Sequence, residues 1–422
     1  MTVDVYESLR QEALARIDST GLDPASQVAE VRDLLEATVD AYQRRAHLGE
    51  GRSLIDPRAT VERLARSVSG SGPLQDLLER PDIEEIFVEG ERVTYLEAGG
   101  ALRSIAAPTT ELENRQVIER LIASTDRRLD ASSPIAQARI LDGSARLTAV
   151  IPPVGDRLSA TIRRYALRRQ TLDSLVDLES LTTPAADLLI AAMRANASIV
   201  VSGPPGAGKT SFLSALINAV PIDHCIRACE EVRELHVPLL HGSYYEARPP
   251  SLDGSGEITL RDLVKVTLAM RPDLIVVGEV RGAEAFELTR AVNAGCGLAC
   301  TIHANSAVDA LEALVNAALM AGENVPERVV RKVFSSSIDL VVHLDRTVEA
   351  DSILRQTVEI RAVVPALHDD FSTELIFKRD RIGAPMQWTG ALPPSVLTER
   401  LGRVLPGGES VQRLLESGVD RW

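Results

Sequence analysis

The chain has 422 residues, of which 45 % are hydrophobic and 25 % charged; that is enough apolar material for more than one core and too much for an intrinsically disordered protein. Acidic residues outnumber basic ones by 60 to 46, and the formal net charge of −14 disfavours a nonspecific nucleic-acid binder held by phosphate neutralisation, although a local basic patch stays open. Aromatic residues at 3 % leave little for base-stacking platforms.

The N-terminus, MTVDVYESLR, is acidic where a secretory leader would be basic and then apolar, and no run reaches the about 18 apolar residues of a membrane span. A cytoplasmic protein is expected. Residues 1–66 read as a helical module, because Val28, Val31, Leu34, Leu35, Thr38, Val39 and Tyr42 recur at three-and-four spacing between charges. The loop SVSGSGP (67–73) follows. IEEIFVEG, RVTYLEAGG and ALRSIAAP then predict short strands and LENRQVIERLIAS (112–124) a helix, giving an α+β domain over 67–165. The stretch 166–184 reads as a linker. Over 185–380 the runs ASIVVSG (197–203), HCIRAC (224–229), DLIVVGE (273–279) and GLACTIH (297–303) alternate with amphipathic stretches. Parallel strands buried on both faces read this way, so this region is assigned to the α/β class. Ser306 and Asp309 form a capping-box pattern ahead of Leu311, Leu314, Val315, Ala318 and Leu319. Strands TVEIRAVV and TELIFKRD close the domain, and 381–422, with its Pro and Gly clusters, reads as an appended tail. The cysteines fall as Cys225-x3-Cys229 and Cys296-x3-Cys300; buried thiols and a zinc site both fit that spacing.

Four segments carry chemistry. Gly203-Pro204-Pro205-Gly206-Ala207-Gly208-Lys209-Thr210 fits G-x-x-x-x-G-K-[ST] between an apolar strand and the helical SFLSALINAV (211–220). Amides from the loop through Ser211 would cradle phosphate, with the Lys209 ammonium on the outer phosphates and the Thr210 hydroxyl on Mg2+. RPDLIVVGEVRG (271–282) ends an apolar strand in Glu279, where an acid beside a phosphate loop holds Mg2+ or polarises the attacking water. CEEVRELHV (229–237) gathers Glu230, Glu231 and Glu234 at another strand end; that suits Mg2+ or water positioning, and a solvated acidic turn reads the same. His303, in CTIHAN (300–305), ends a fourth strand and is either a γ-phosphate sensor or a structural histidine.

In order and spacing, GPPGAGKT, EEVREL, RPDLIVVGEVRGAEAF and TIHAN resemble the Walker A, Asp box, glutamate-bearing Walker B and His box of the type II/type IV secretion ATPase superfamily. GPLQDLLERPDIEEIFVEG (72–90), LDASSPIAQARILDGSARLTAVIPP (129–153), ATIRRY (160–165) and YEARPPSLDGSGEITLRDLV (245–264) are similar to its CpaF/TadA-type branch, the motors of Tad pili. The resemblance implies a PAS-like α+β domain followed by a RecA-like P-loop domain, and an ATP-hydrolysing, Mg2+-dependent homo-hexamer. That ring would sit peripherally at the inner face of the cell membrane and drive polytopic inner-membrane platform proteins and through them pilin; a nucleic-acid partner is not expected on the charge and aromatic content above. It also implies that Glu279 and Glu234 handle the catalytic water beside Glu231, that His303 reads the γ-phosphate, and that Arg163 and Arg248 reach the nucleotide. A conjugation or DNA-transport ATPase and a non-hydrolysing nucleotide-dependent scaffold are the alternatives. Three differences stand out: Glu231 replaces an aspartate, EIFVEG lacks the usual asparagine, and Cys296 stands where N-T-G-H-x-G-S has a histidine, in a stretch one residue short.

Overall fold

The computed structural model describes residues 3–24, 26–98, 100–125, 127–164, 170–235, 237–250, 254–349, 352–365 and 370–419. The chain forms two compact units, Met1–Ala166 and Leu167–Trp422.

The first unit opens with α1 (Val3–Thr20), α2 (Val28–His47) and α3 (Pro57–Ser69), which close a small core around Tyr6, Leu9, Leu35, Val39 and Leu64. Asp56 starts α3 by accepting from the Ala59 amide, with Pro57 in its first turn. The loop expected from residue 67 begins later, because Ser67 and Val68 are buried residues of that helix. Next come α4 (Gln75–Glu79), β1 (Ile83–Glu89), β2 (Arg92–Glu97), β3 (Leu102–Ser104), α5 (Glu111–Ala123), β4 (Ile135–Ile140), β5 (Ala145–Val150) and β6 (Ser159–Arg164). The strands form one antiparallel sheet ordered β3-β2-β1-β6-β5-β4. Its alternate residues Ile86, Val88, Leu147, Ala149 and Ile162 pack with Val117, Ile118 and Ile122 of α5.

The second unit contains α6 (Leu172–Asp177), α7 (Thr183–Arg194), β7 (Ile199–Ser202), α8 (Lys209–Asn218), β8 (Ile226–Glu230), β9 (Gly242–Glu246) and α9 (Leu260–Leu268). It continues through β10 (Leu274–Val280), α10 (Glu284–Asn293), β11 (Gly297–Ile302), α11 (Ala307–Leu319), α12 (Glu327–Ser337), β12 (Leu340–Glu349) and β13 (Ser352–Val364). It ends with β14 (Ser372–Lys378), β15 (Gln387–Trp388), α13 (Ser395–Val404) and α14 (Val411–Ser417). The sheet runs β15-β14-β13-β12-β7-β11-β10-β8-β9; the strands from β12 to β9 are parallel and β13–β15 antiparallel. Both faces are covered, with Ile199 and Val201 facing one core and Val200 and Val277 the other, which is why the strands read as unbroken apolar runs.

Two boundary readings change. Of the linker expected at 166–184, residues 166–169 lie outside the described residues, and the rest is ordered: Leu172 and Leu175 of α6 are buried in the larger core and α7 starts at Thr183. Nor is 381–419 an appended tail. Leu397, Leu401, Val411, Leu414 and Leu415 join the same core, Arg400 pairs with Asp339 at 2.7 Å, and the Val419 amide donates to Asp187 at 2.9 Å.

Candidate functional site

Strand β7 ends at Ser202, and the chain then turns through three glycines with positive φ: Gly203 at +152°, Gly206 at +74° and Gly208 at +90°. At Gly203 the turn admits no side chain, since a Cβ would stand 2.4 Å from the Leu344 carbonyl oxygen. Gly208 caps α8, whose first intrahelical bond runs from the Phe212 amide, so the amides of Lys209, Thr210 and Ser211 face the loop without helical partners. Ala207 is buried, Pro204, Gly206 and Thr210 are half-buried, and Pro205 and Ser211 are exposed. Lys209 is 8 % exposed, and its Nζ donates to the carbonyls of Gly203 (3.0 Å) and Pro204 (3.2 Å) and to Nδ1 of His303 (3.1 Å).

The neighbouring strands bring the next two groups. Glu279 sits near the carboxyl end of β10 and His303 one residue beyond β11, which lies between β10 and β7. His303 Nε2 is 2.7 Å from Glu279 Oε1, and Arg281 Nε donates to Glu279 Oε2 at 2.7 Å. Lys209, His303, Glu279 and Arg281 therefore form one continuous chain. An ammonium only donates, so Nδ1 must carry a lone pair; the imidazole proton is then on Nε2 and is given to the carboxylate. The backbone around the chain is fixed: Thr301 Oγ1 donates to the Gly278 carbonyl at 2.6 Å, and Glu284 accepts from the amides of Arg281 (2.6 Å) and Gly282 (2.8 Å).

The acidic cluster is divided. Glu230, expected as a metal ligand, is buried and accepts from the amides of Glu234 (3.1 Å) and Leu235 (3.2 Å). Burial pushes its pKa up to about 8, and a carboxylate turned inward onto its own loop is not placed to hold Mg2+. Gly278 makes room for it, since a Cβ there would meet Glu230 Cγ at 2.7 Å. Glu231 is exposed and Glu234 half-buried; among the described residues no side-chain bond ties either to Glu279 or His303.

Of the two arginines carried over, Arg248 donates to the Gly256 carbonyl at 2.6 Å within its own loop. Arg163 lies on β6 of the first unit, opposite Glu85, with Nε 3.4 Å from the carboxylate. The site has two arginines that no motif signalled. Arg355 of β13 donates to the Gly206 carbonyl at 2.9 Å, and the Arg346 guanidinium of β12 lies against Gly206. Cys296 precedes β11, so the six residues of that strand set it roughly 20 Å from His303, at the amino end of the strand. Cys229 and Cys300 are buried thiols pushed up to about 11 and about 12 by burial. The zinc alternative fails, since among the described residues no three His, Cys, Asp or Glu side chains gather to hold a metal. Mg2+ makes a smaller demand, a hydroxyl or a carboxylate with phosphate oxygens and water, which Thr210 beside the amide cradle fits.

Residues 68–368 match the family described as Type II/IV secretion system protein. A Mycobacterium tuberculosis protein named for conjugal transfer is 36 % identical over 258 residues, covering 59 % of this chain and 73 % of its own. The type IV secretion system protein VirB11 of Brucella suis is 27 % identical over 322 residues, 69 % of this chain and 89 % of that one. The crystal structure of the Brucella suis VirB11 ATPase with sulphate aligns over 69 % of this chain and 95 % of that one, at 25 % identity and a TM-score of 0.37. With a family match over more than half its length, the chain belongs to the type II/IV secretion system ATPase family, and its second unit is the RecA-like α/β domain of that fold.

Proposed function

We propose that the protein is an Mg2+-dependent ATPase of the CpaF/TadA type, a homo-hexameric motor that works a Tad pilus or type II-like secretion platform in the inner membrane, with pilin moved indirectly. The observation that carries the hydrolytic reading is the chain from Lys209 through His303 to Glu279. Phosphate oxygens entering the loop would replace the Gly203 and Pro204 carbonyls and His303 on the ammonium, leaving the imidazole beside the terminal phosphate. Glu279 would then orient the attacking water and accept its proton, with Glu234 and Glu231 as further water-handling carboxylates. Thr210 and Glu279 would hold Mg2+, which when bound would supply charge neutralisation to the phosphates. Backbone N–H groups of the loop glycines and of Lys209, Thr210 and Ser211 would bind the phosphates while Pro204, Pro205 and Ala207 shape the turn, and Arg163 and Arg248 are assigned to nucleotide contacts made in the working ring. Among the described residues no helix is long and apolar enough to cross a membrane, which suits a motor attached peripherally to a membrane platform from its cytoplasmic side.

Relatives named for conjugal transfer favour a second reading, a DNA-transport motor. Against it stand the net charge of −14 and the scarcity of aromatics; a salt-dependent DNA mobility shift would revive it. The central test is Lys209→Ala. Binding of a fluorescent ATP analogue is expected to be lost with the only ammonium in the loop, and an analogue bound as tightly as by the wild type would refute the assignment.

A further inference from the structure

We infer that Glu359 of β13 is a positioning residue for hydrolysis, holding the loop that carries His303 so that the imidazole stays between Lys209 and Glu279. The inference rests on the hydrolytic reading of that chain of groups. His303 needs such support, because its side chain is 43 % exposed and packing alone does not fix the ring. Its place is set by the loop 303–306, which joins β11 to α11. At one end Thr301 Oγ1 donates to the Gly278 carbonyl at 2.6 Å, tying β11 to the strand of Glu279. At the other end Ala307, the first residue of α11, gives its amide to Glu359 Oε1 at 2.9 Å.

That amide is among the first-turn donors for which an α-helix has no partner of its own. Ser306 satisfies another of them, its Oγ accepting from the Asp309 amide at 3.0 Å. A cap from within the loop starts the helix without fixing where the helix lies. Glu359 fixes it, because it comes from a different strand of the sheet. Register puts it in reach: Ile302 is opposite Ser202, Ser202 opposite His343, and His343 opposite Glu359. One transverse row therefore runs from the residue before His303, past the base of the phosphate loop, to Glu359. In-register neighbours point to one face, here the face on which Val200, Val341 and Val363 share a core with Leu311 and Leu314 of α11. Within the row His343 Nδ1 lies 2.9 Å from Ser202 Oγ, and both residues are buried. Arg361 Nε donates to Glu359 Oε2 at 2.7 Å, and Arg361 Nη1 to Thr373 Oγ1 of β14 at 3.2 Å. One carboxylate oxygen is thus anchored on the sheet and the other on the His303 loop, and a charged acceptor makes the second bond stronger than a neutral one would.

The test measures phosphate release by the full chain over a range of ATP concentrations, for the wild type, Glu359→Asp, Glu359→Gln and His303→Ala, with thermal melts to confirm folding. Glu359→Asp keeps the charge and the Arg361 partner but shortens the arm by one methylene. It is expected to lower kcat by roughly tenfold, the scale of one charge-assisted hydrogen bond, with KM for ATP near wild type because the phosphate loop is untouched. Glu359→Gln keeps the length and an oxygen for the Ala307 amide, and should recover most of the loss. A residue that acts through another adds nothing once the other is gone, so Glu359→Asp combined with His303→Ala should match His303→Ala alone. Glu359→Gln slower than Glu359→Asp would show that charge and not reach matters, and a full further loss on top of His303→Ala would show that Glu359 acts elsewhere; either overturns the inference. If both Glu359 variants turn over like the wild type while His303→Ala is slow, the positioning role falls and the hydrolytic site stands. If His303→Ala is as fast as the wild type, the imidazole has no role for Glu359 to support and the inference falls with it. If the wild type releases no phosphate, both readings fall.

Discussion

Glu279 shares its carboxylate between the His303 imidazole and the Arg281 guanidinium. Glu279→Gln keeps the shape and an acceptor for His303 but cannot take a proton from water. ATP should still bind, and phosphate release should fall roughly 10²-fold or more; near-normal release would shift the role to Glu231 and Glu234. Glu230, on the adjoining strand β8, meets the opposite surroundings. Burial raises its folded pKa from 4.5 to about 8, so between those values the folded state holds a proton that the unfolded state has released. Its contribution to stability is complete below the ordinary carboxylate range and is lost as pH rises toward about 8. Melting temperature should therefore decline across that interval, and Glu230→Gln, which carries no charge to bury, should flatten the decline; an unchanged slope would show that other groups cause it. The two acids are alike in sequence, each ending a strand. What separates them is tertiary: Gly278 leaves a hollow that admits Glu230, while Glu279 meets a histidine delivered by the next strand.

Elements whose pattern is local were legible, and those stabilised by distant partners were not. The strands β7, β10 and β11 lie in continuous apolar runs because helices cover both faces, and the phosphate loop carries its own glycine signature. By contrast β9 is a half-exposed edge strand, GSYYE, with no apolar run. Arg346 and Arg355 gave no signal either, because their closeness to Gly206 depends on β12 lying beside β7, well over a hundred residues away in the chain. Pro and Gly clusters masked the C-terminal helices, which are only 10 and 7 residues long, yet Leu397 and Leu401 occupy one helical face and are buried. Leu401→Ala should destabilise the second unit by about 2–5 kcal/mol, the usual range for truncating a fully buried leucine. Denaturant unfolding followed at Trp388, which packs against the same core, would check it; a change below about 0.5 kcal/mol would return these helices to the status of a surface appendage.

A motor must sense which nucleotide it holds across more than one structural unit, and Arg163 is the residue of the first unit for which that role is proposed. Its pairing with Glu85 is loose, at 3.4 Å and with the arginine side chain 53 % exposed. Exposed pairs of this kind contribute little, so a stronger anion can take the guanidinium. Arg164 points to the other face of β6 and donates to the Arg80 carbonyl, a bond internal to its own unit. Ligand-driven closure requires a difference in affinity between the open and closed states, and under the proposed role a γ-phosphate contact from Arg163 would supply one that ADP lacks. Arg163→Ala should thus weaken ATP by roughly tenfold, again the scale of one charge-assisted hydrogen bond, while ADP affinity and melting temperature stay near wild type. Arg164→Ala should do the reverse, lowering the melting temperature of the first unit without altering the ratio of ATP to ADP affinity. Isothermal titration of both variants with each nucleotide, alongside their melts, separates the two. If that ratio is the same in Arg163→Ala as in wild type, β6 takes no part in nucleotide sensing and Arg248 becomes the arginine to test.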